Sequence, residues 1–365
     1  MPDPIRFVML GGFLGAGKTT TIAKLARHYQ SQGKHVVIVT NDQADHLVDT
    51  ELLRSQGFEV GEVAGSCFCC NFNGLTGQME KLSAAQRPDV ILAEPVGSCT
   101  DLIATIAAPM MSLLGEDIEV APYAVLIKPS HGRKILTGAF GRGFSPKAEY
   151  IFRKQVEEAN LIVINRIDEL SESEINDLES ALSDQYPGRP ILRLSAKDGT
   201  HIEELVSHLA EGTPDYDSFM DVDYDIYAEG EAELGWLNAT ALLRSADAKD
   251  LDELLVQTLE TLKAKLGERD AETAHLKAII QAGKDTAVAN LVSSDTAVTL
   301  SMPSGTAATE ARMVVNARVA IDPEVLSKLV RETLLAIATS TGWQLSIESL
   351  QSFRPDRPVP THRAV

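Results

Sequence analysis

The sequence lacks any uninterrupted run of about 18 apolar residues, the length that a membrane-spanning helix requires. Its beginning also lacks the basic stretch, apolar run and small-residue cleavage site that together make a secretory signal peptide. We therefore expect neither a membrane span nor secretion.

Cysteine is scarce and confined to one part of the chain. All four cysteines lie in the first hundred residues, and three of them stand together as Cys67, Cys69 and Cys70. The disulfide framework of a secreted protein would distribute its cysteines along the whole chain as cross-links. The distribution therefore favours a cytoplasmic protein.

Positive charge is also in short supply. The chain has 33 Lys and Arg against 52 Asp and Glu, a formal net charge of −19. Proteins that bind nucleic acid concentrate Lys and Arg, so we expect no nucleic-acid partner. With 365 residues, 44% of them hydrophobic, the chain has enough apolar material for two globular domains.

Short apolar runs alternate with helical patterns over the first part of the chain. The predicted strands are residues 5–10, 36–40, 90–93, 124–127, 161–164 and 191–194. The predicted helices are residues 19–32, 146–158 and 174–186. Strands and helices in alternation imply right-handed crossovers, so the sequence predicts an α/β domain with a mainly parallel sheet.

The second part of the chain has a different pattern. The predicted strands are residues 236–243, 275–280, 288–293, 297–302, 312–320 and 344–350, and the predicted helices are residues 251–266 and 323–340. Asp322 and Pro323 supply an N-cap and an N1 proline for the second of these helices. This pattern predicts a smaller α+β domain with an antiparallel sheet.

These patterns predict four regions: a domain over 1–212, an acidic linker over 213–233, a second domain over 234–351 and a proline-rich tail over 352–365. Acidic blocks repel themselves and stay hydrated, so we interpret 213–233 as a linker, with a weak cation site as the alternative. The basic tail is expected to be disordered, as chain termini usually are. Docking of the tail on this acidic protein or on a partner is the alternative.

Residues 12–19 read GFLGAGKT and match the pattern GxxxxGK[ST] between an apolar strand and a helix. The glycines let successive amides turn toward one phosphate, and the helix N-terminus adds its partial positive charge. Lys18 would bridge the β- and γ-phosphates, and the Thr19 hydroxyl would ligate Mg²⁺. The sequence therefore predicts a P-loop that binds a nucleoside triphosphate through Gly12, Gly15, Ala16, Gly17, Lys18, Thr19 and Thr20.

Four further segments carry motifs, and three of them come at the ends of predicted strands. Three of them are Glu94–Gly97 (EPVG), 165–168 (NRID) and 195–197 (SAK), and the fourth is CFCC at 67–70, of the form CxCC. Together with the P-loop, this set resembles the CobW-like family of metal-cofactor GTPases, which are related to the GTPases that help mature urease and hydrogenase. The resemblance covers about residues 5–212 and implies a P-loop NTPase domain that binds GTP with Mg²⁺.

The resemblance also implies roles for the residues that read the base. Asp168 would accept hydrogen bonds from the guanine N1–H and exocyclic amine, and Asn165 would hold the surrounding loops. Ser195, Ala196 and Lys197 would lie behind the base. Family members usually have Lys where this chain has Arg166, whose guanidinium can also stack on a purine.

The remaining implied roles concern hydrolysis. Glu94 would orient a magnesium-bound or attacking water, and the Gly97 amide would contact the γ-phosphate. Asp42 is a candidate for positioning the attacking water and Asp49 for a second contact to the metal shell. A polar helix cap or turn is the alternative for both.

Three thiols within four residues indicate a metal site, because thiolates suit Zn²⁺ and related soft ions. Cys67 and Cys69 should converge more easily than the adjacent Cys69 and Cys70. We expect Zn²⁺ or Co²⁺ on these three residues, with Cys99 as a further candidate ligand and inert packing or a disulfide as the alternative. The eight histidines are scattered, and His131 is predicted to lie at the surface.

The sequence thus predicts a GTPase of the metallochaperone type, with the catalytic residues Lys18, Glu94 and Asp42. It would serve metal delivery or cobalamin and metal-cofactor maturation, with a client metalloprotein or corrinoid-handling protein as partner; a homodimer is compatible with these features. One alternative is an ATP-dependent P-loop kinase or activase acting on a small molecule or corrinoid protein. Another is a zinc-binding adaptor whose nucleotide is structural.

Overall fold

The computed structural model describes residues 3–42, 48–137, 145–212, 214, 216 and 219–365. The described residues form two compact units. The first unit contains residues 3–42, 58–230 and 357–365, and the second contains residues 48–57 and 231–356. Within the described ranges, no helix combines the length and apolar character that crossing a membrane would require.

The first unit is built on a parallel sheet. Its strands are β1 Ile5–Gly11, β2 Val36–Asn41, β3 Glu59–Val63, β4 Val90–Glu94, β5 Ile118–Val120, β6 Ala124–Ile127, β7 Leu161–Ile164 and β8 Ile191–Arg193. They follow the order β3-β2-β4-β1-β6-β7-β8, and β5 pairs with β1. Every pairing is parallel, which confirms the predicted α/β architecture.

Helices connect many of the strands in both units. They are α1 Lys18–Ser31, α2 Val48–Ser55, α3 Phe72–Ser83, α4 Ala108–Leu114, α5 Pro129–Leu136, α6 Pro146–Glu158, α7 Glu172–Gln185, α8 Ile202–Glu211, α9 Tyr224–Ala232, α10 Leu251–Gly267 and α11 Pro323–Thr341. Their starts are encoded locally. The hydroxyl of Ser171, for example, accepts from the Glu174 amide while the Glu174 carboxylate accepts from the Ser171 amide, a capping box that begins α7.

The register of the first sheet brings several loops to one edge. Thr40 lies beside Glu94 across β2 and β4, and Ile127 lies beside Ile164 across β6 and β7. In a parallel sheet the carboxyl ends of the strands point the same way, and ligands bind in the crevice outside them. The loops after β1, β2, β4, β7 and β8 therefore share the edge at which a nucleotide site is expected.

The second unit is an antiparallel sheet with helices on it. Its strands are β9 Gly235–Asp250, β10 Thr273–Ala282, β11 Asp285–Leu291, β12 Thr299–Met302, β13 Ala307–Val319 and β14 Gln344–Phe353, in the order β12-β11-β10-β13-β9-β14. One face packs against α10 and α11 through an apolar core. Val48 of α2 packs with Ile279, Val288 and Val314 of the sheet. The predicted α+β organisation with an antiparallel sheet is confirmed.

The organisation along the chain differs from the prediction in three places. The acidic stretch 213–233 contains α9, and its described residues up to 230 belong to the first unit rather than to a free linker. Asp215 and Asp217 of that stretch lie outside the described residues. The tail 357–365 packs within the first unit, so the expectation of disorder is wrong. Helix α2 belongs to the second unit although it lies early in the chain.

Candidate functional site

The P-loop joins β1 to α1 by a turn that only glycine can make. Gly12, Gly15 and Gly17 have φ values of 129°, 75° and 92°, the left-handed region that disfavours side chains. A Cβ on Gly12 would lie 2.3 Å from the carbonyl oxygen of Leu126. The loop is therefore fixed in a shape that directs backbone amides and the start of α1 toward an anion.

Three predicted residues meet beside this loop. The Lys18 ammonium donates to the Gly12 carbonyl oxygen at 2.9 Å, and the Thr19 hydroxyl donates to Glu94 Oε1 at 2.9 Å. All three of these side chains are buried. Glu94 ends β4, and a Cβ on Gly97 just after it would lie 3.1 Å from Lys18 Nζ. A hydroxyl and a carboxylate at this distance beside a phosphate loop are a donor set that suits Mg²⁺.

Asn165 links the P-loop to the loops that would read the base. Its side-chain amide donates to the Ala16 carbonyl at 2.8 Å, and its Oδ1 accepts from the amides of Arg166 and Ala196 at 2.8 and 3.0 Å. A Cβ on Gly17 would lie 2.4 Å from Asn165 Nδ2, so this close approach also requires glycine. The three loops thus form one hydrogen-bonded set.

Asp168 lies at the centre of the predicted base site. Its Oδ1 accepts from the Ser195 hydroxyl at 2.8 Å, and its Oδ2 lies 3.6 Å from the Lys197 ammonium. Arg166 adopts a left-handed conformation, and its Nε donates to Glu169 Oε1 at 3.0 Å. The Asp168 carboxylate is therefore held in place by the Ser195 hydroxyl and the Lys197 ammonium.

The other predicted residues of the nucleotide site have different surroundings. Thr20 is exposed on the first turn of α1. Asp42 is buried directly after β2, and its amide donates to the Val63 carbonyl at 3.2 Å. Asp49 lies on α2 of the second unit, where its carboxylate forms an ion pair with Lys277 at 2.5 Å. Asp49 therefore has an ion-pair partner within the second unit, and its contact to the metal shell stays a prediction.

The three clustered cysteines come together in a turn between β3 and α3. The Sγ atoms of Cys67 and Cys69 lie 2.9 Å apart, those of Cys67 and Cys70 3.1 Å, and those of Cys69 and Cys70 3.8 Å. Cys67 and Cys69 are buried, and Cys70 is partly exposed. All three are free thiols, and three sulfur atoms so close are a donor set that a soft transition-metal ion fits.

The thiols perturb one another strongly. Hydrogen bonding to Cys69 and Cys70 lowers the pKa of Cys67 well below its ordinary value. Hydrogen bonding to Cys67 raises the pKa of Cys69, and it raises the pKa of Cys70 to about 11. One sulfur therefore holds negative charge more easily than the other two, as expected where thiols share a proton network.

Asn41 at the end of β2 holds the cysteine turn. Its amide nitrogen donates to the carbonyls of Val63 and Ser66 at 2.8 Å each, and its Oδ1 accepts from the Phe68 amide at 2.7 Å. This role was missed, because an Asn at the end of a strand is also typical of a simple turn or cap. The signal for this role in the sequence was the position of Asn41 beside Asp42, at the end of a strand that begins with four apolar residues.

Gln155 of α6 holds the loop after β4 in a similar way. Its amide donates to the carbonyls of Gly97 and Cys99 at 3.1 and 2.8 Å. A polar residue on the apolar face of a predicted helix could have indicated this role. Cys99 is buried and hydrogen-bonded with Cys67, although it lies outside the group of three converging sulfurs.

His131 is buried, which corrects the prediction of a surface residue. Only 1% of its surface is exposed, and its ring lies edge-on to the ring of Phe13 in the P-loop, 5.7 Å between centroids. Its Nε2 lies 3.4 Å from the Lys128 ammonium. Burial lowers the pKa of His131 well below its ordinary value, so the ring packs beside the P-loop in its neutral form.

Comparison with known proteins gives the same family as the motifs. A family model described as "CobW/HypB/UreG, nucleotide-binding domain" matches residues 6–193, just over half of the chain. The chain is 31% identical over 168 residues to the zinc chaperone YeiR of Escherichia coli (strain K12), covering 44% of this chain and 46% of the relative. It is 25% identical over 231 residues to the zinc chaperone CobW of a Sinorhizobium species, covering 56% and 62%. The chain thus matches about half to three fifths of the length of these relatives.

Two solved structures align with this chain at low TM-scores. HypB from Helicobacter pylori in complex with nickel has a TM-score of 0.40 at 18% identity and covers 57% of this chain and 86% of its own. Zn(II)-bound YjiA GTPase from E. coli has a TM-score of 0.38 at 14% identity and covers 92% and 99%. At TM-scores this low, the fold assignment rests on the strand order described above.

Proposed function

The chain belongs to the CobW/HypB/UreG family of nucleotide-binding proteins, and from this premise we propose that it is a GTPase that carries a transition-metal ion on Cys67, Cys69 and Cys70. The observation that carries the proposal is the convergence of three free thiols in the same unit as the P-loop. Two curated relatives are named zinc chaperones, so Zn²⁺ is the ion proposed first and Co²⁺ the alternative.

The nucleotide chemistry follows from the residues around the P-loop. Lys18 would neutralise charge on the β- and γ-phosphates, and the Thr19 hydroxyl would bind Mg²⁺, which supplies electrostatic stabilisation of the transferring phosphoryl group. Glu94, 2.9 Å from that hydroxyl, would orient the attacking water. The Gly97 amide would contact the γ-phosphate. Asp42 is a second candidate for positioning water.

Guanine selectivity would come from Asp168. A carboxylate with two acceptor oxygens matches the N1–H and exocyclic amine of guanine, whereas adenine has no such pair of donors on that edge. Two residues would keep the carboxylate oriented: Ser195, whose hydroxyl lies 2.8 Å from Oδ1, and Asn165, which joins the flanking loops. Covering this carboxylate with a base that lacks the two donors would cost about 1–3 kcal/mol, which is the basis of the proposed discrimination.

The cysteine site would bind its ion through three thiolates, with Zn–S distances of about 2.3 Å. Three protein ligands leave a fourth position for a ligand from another molecule, which suits transfer to a client metalloprotein or into a corrinoid cofactor. We propose the cytoplasm as the setting, because thiols remain reduced there.

The nucleotide site and the cysteine site are held by residues of the same loops. Asn41, which holds the cysteine turn, is the neighbour of Asp42, and Cys99 lies two residues after Gly97 in a loop held by Gln155. A nucleotide that orders the loops after β2 and β4 would therefore change the surroundings of the thiols. This is the coupling that we propose between nucleotide state and metal affinity.

Measurement of zinc affinity with GTP, with GDP and without nucleotide tests the coupling. We expect zinc affinities that differ by about tenfold or more between at least two of these states. A nucleotide can change the zinc affinity only if it binds the zinc-loaded and zinc-free proteins with different affinities. Equal affinities in all three states would contradict the coupling. A parallel turnover assay with GTP and ATP separates the GTPase from an ATP-dependent kinase or activase.

Replacement of Cys67 by Ala should reduce zinc affinity by about 100-fold, because the sulfur nearest to both partners is removed. Isothermal titration in the presence of a competing chelator measures this change. Cys99→Ala is the comparison, and we expect it to cause a smaller loss because Cys99 hydrogen-bonds with Cys67 but lies outside the converging group. Equal losses in the two variants would instead assign Cys99 as a ligand.

A further inference from the structure

The C-terminal residues 357–365, here called the strap, pass over the cysteine turn. The amide of Thr361 donates to the Cys69 carbonyl at 2.8 Å, and its hydroxyl donates to the Cys70 carbonyl at 3.0 Å. The amide of Val359 donates to the sulfur of Cys70, with 3.2 Å between N and Sγ. The strap therefore contacts the main chain of the turn and one of the three sulfur atoms.

The other end of the strap is fixed to the segment after β4. Arg363 Nε donates to Asp101 Oδ2 at 2.7 Å, and the Ala364 amide donates to the Ala104 carbonyl at 2.8 Å. Asp101 is 1% exposed and also accepts from the Tyr224 hydroxyl at 2.7 Å. A buried carboxylate needs a charged or hydrogen-bonding partner, so the Arg363 contact fixes the strap at a specific place.

The strap thus connects the two loops whose coupling is proposed above. One of them carries Cys67, Cys69 and Cys70, and the other carries Gly97 and Cys99. The ring of His362, between the two contacts, lies edge-on to Phe72 at the start of α3, 5.1 Å between centroids. Contacts on both sides of this ring make the strap a continuous link rather than a loosely attached terminus.

Hydrogen bonds to a ligating sulfur change its properties as a ligand. Groups that hydrogen-bond to metal ligands orient them and tune the metal, and their loss typically costs 10–100-fold in affinity. Val359 lies between Pro358 and Pro360, which restrict the local backbone to extended conformations and so keep the amide directed at the sulfur.

We infer that the strap is a positioning element of the metal site: the Val359 amide orients and stabilises the Cys70 thiolate, and the Arg363–Asp101 ion pair holds the strap against the loop after β4. This inference rests on the proposed binding of metal by the three cysteines. Release of the ion would then require the strap to loosen, and the strap would transmit changes from the nucleotide loop to the sulfur.

The sharpest test replaces Val359 by Pro, which removes the amide hydrogen and tolerates an extended backbone. Residue Val359 is 68% exposed, so little packing is lost. Val359→Ala is the matched control because it shortens the same side chain and keeps the donor. Transfer of Zn²⁺ to a chelator should be about tenfold faster in Val359→Pro than in the wild-type protein and in Val359→Ala.

Cobalt provides a second readout that a purely structural role would not move. With Co²⁺ bound, the sulfur-to-metal charge-transfer absorption should shift in Val359→Pro and stay in place in Val359→Ala. Unchanged zinc release and an unchanged spectrum in Val359→Pro would overturn this inference but not the proposed function. Wild-type protein without cysteine-dependent zinc binding would overturn the proposed function and the inference with it.

Arg363→Ala tests the other end of the strap and does not depend on how Val359→Pro folds. We expect zinc release several-fold faster, because the strap loses its ion pair while the sulfur keeps its donor. Lys328→Ala on α11, which removes an exposed cation that pairs with Glu332 in the second unit, is the control and should leave release unchanged. Equal release rates in the two variants would contradict the role assigned to the ion pair.

Discussion

Replacement of Glu94 by Gln is expected to lower the rate of GTP hydrolysis by about 10³-fold while GTP affinity stays within about threefold. Gln keeps an oxygen that can accept from the Thr19 hydroxyl, so the local geometry is retained. What is lost is the negative charge that would orient a magnesium-bound or attacking water. Single-turnover hydrolysis measures the rate, and equilibrium binding of GTP measures the affinity.

Glu119→Gln is the matched control for this experiment. Glu119 lies on β5 of the same sheet, its side chain is 58% exposed, and it pairs with Arg6 at the surface. The same change of charge there should alter neither the rate nor the affinity. Hydrolysis at the normal rate in Glu94→Gln would remove the catalytic assignment, and a large loss of GTP affinity would make Glu94 a binding residue instead.

The strands of the first unit could be predicted because they are buried on both faces. The run that forms β4 is fully buried, and β2 is buried along its whole length, so each begins with four consecutive apolar residues in the sequence. The three-residue strand β5 has an exposed residue at its centre and no such run, which explains why it was missed. Strand β3 was missed for a similar reason, since only two of its five residues are buried.

The positions of elements that are held by contacts distant along the chain could not be predicted from the sequence. Helix α2 belongs to the second unit because Val48 packs on Ile279, Val288 and Val314, which lie more than two hundred residues away. The strap shows the same limitation. Its composition is typical of a disordered terminus, and its position depends on hydrogen bonds to Cys69, Cys70 and Asp101 that no local pattern indicates.

The candidate site divides in the same way. Residues that carry chemistry stand in spaced motifs, so Lys18, Glu94, Asp168 and the three cysteines could be named from the sequence. Residues that position them do so through their side-chain amides, and Asn41 and Gln155 make their contacts across 22 to 58 positions of the chain. Such residues give only a weak signal in the sequence, because the atoms that they contact are distant along the chain.

Replacement of Asp168 by Asn is expected to change the preference for GTP over xanthosine triphosphate by about 10⁴-fold, in favour of the xanthine nucleotide. The carboxylate offers two acceptors to two guanine donors. The amide offers one acceptor and one donor, which match the N1–H and the 2-oxygen of xanthine. Ser195 can still donate to the remaining oxygen at this position, so the loop should keep its conformation. Competition binding with the two nucleotides measures the ratio.

Asp177→Asn makes the same substitution at an exposed position of α7. We expect that control to keep the GTP preference, because Asp177 has no predicted contact with the base. If Asp168→Asn also kept the preference, the base would be read elsewhere. If the wild-type protein bound ATP as tightly as GTP, Arg166, paired with Glu169 where the family usually has Lys, would be the next residue to replace.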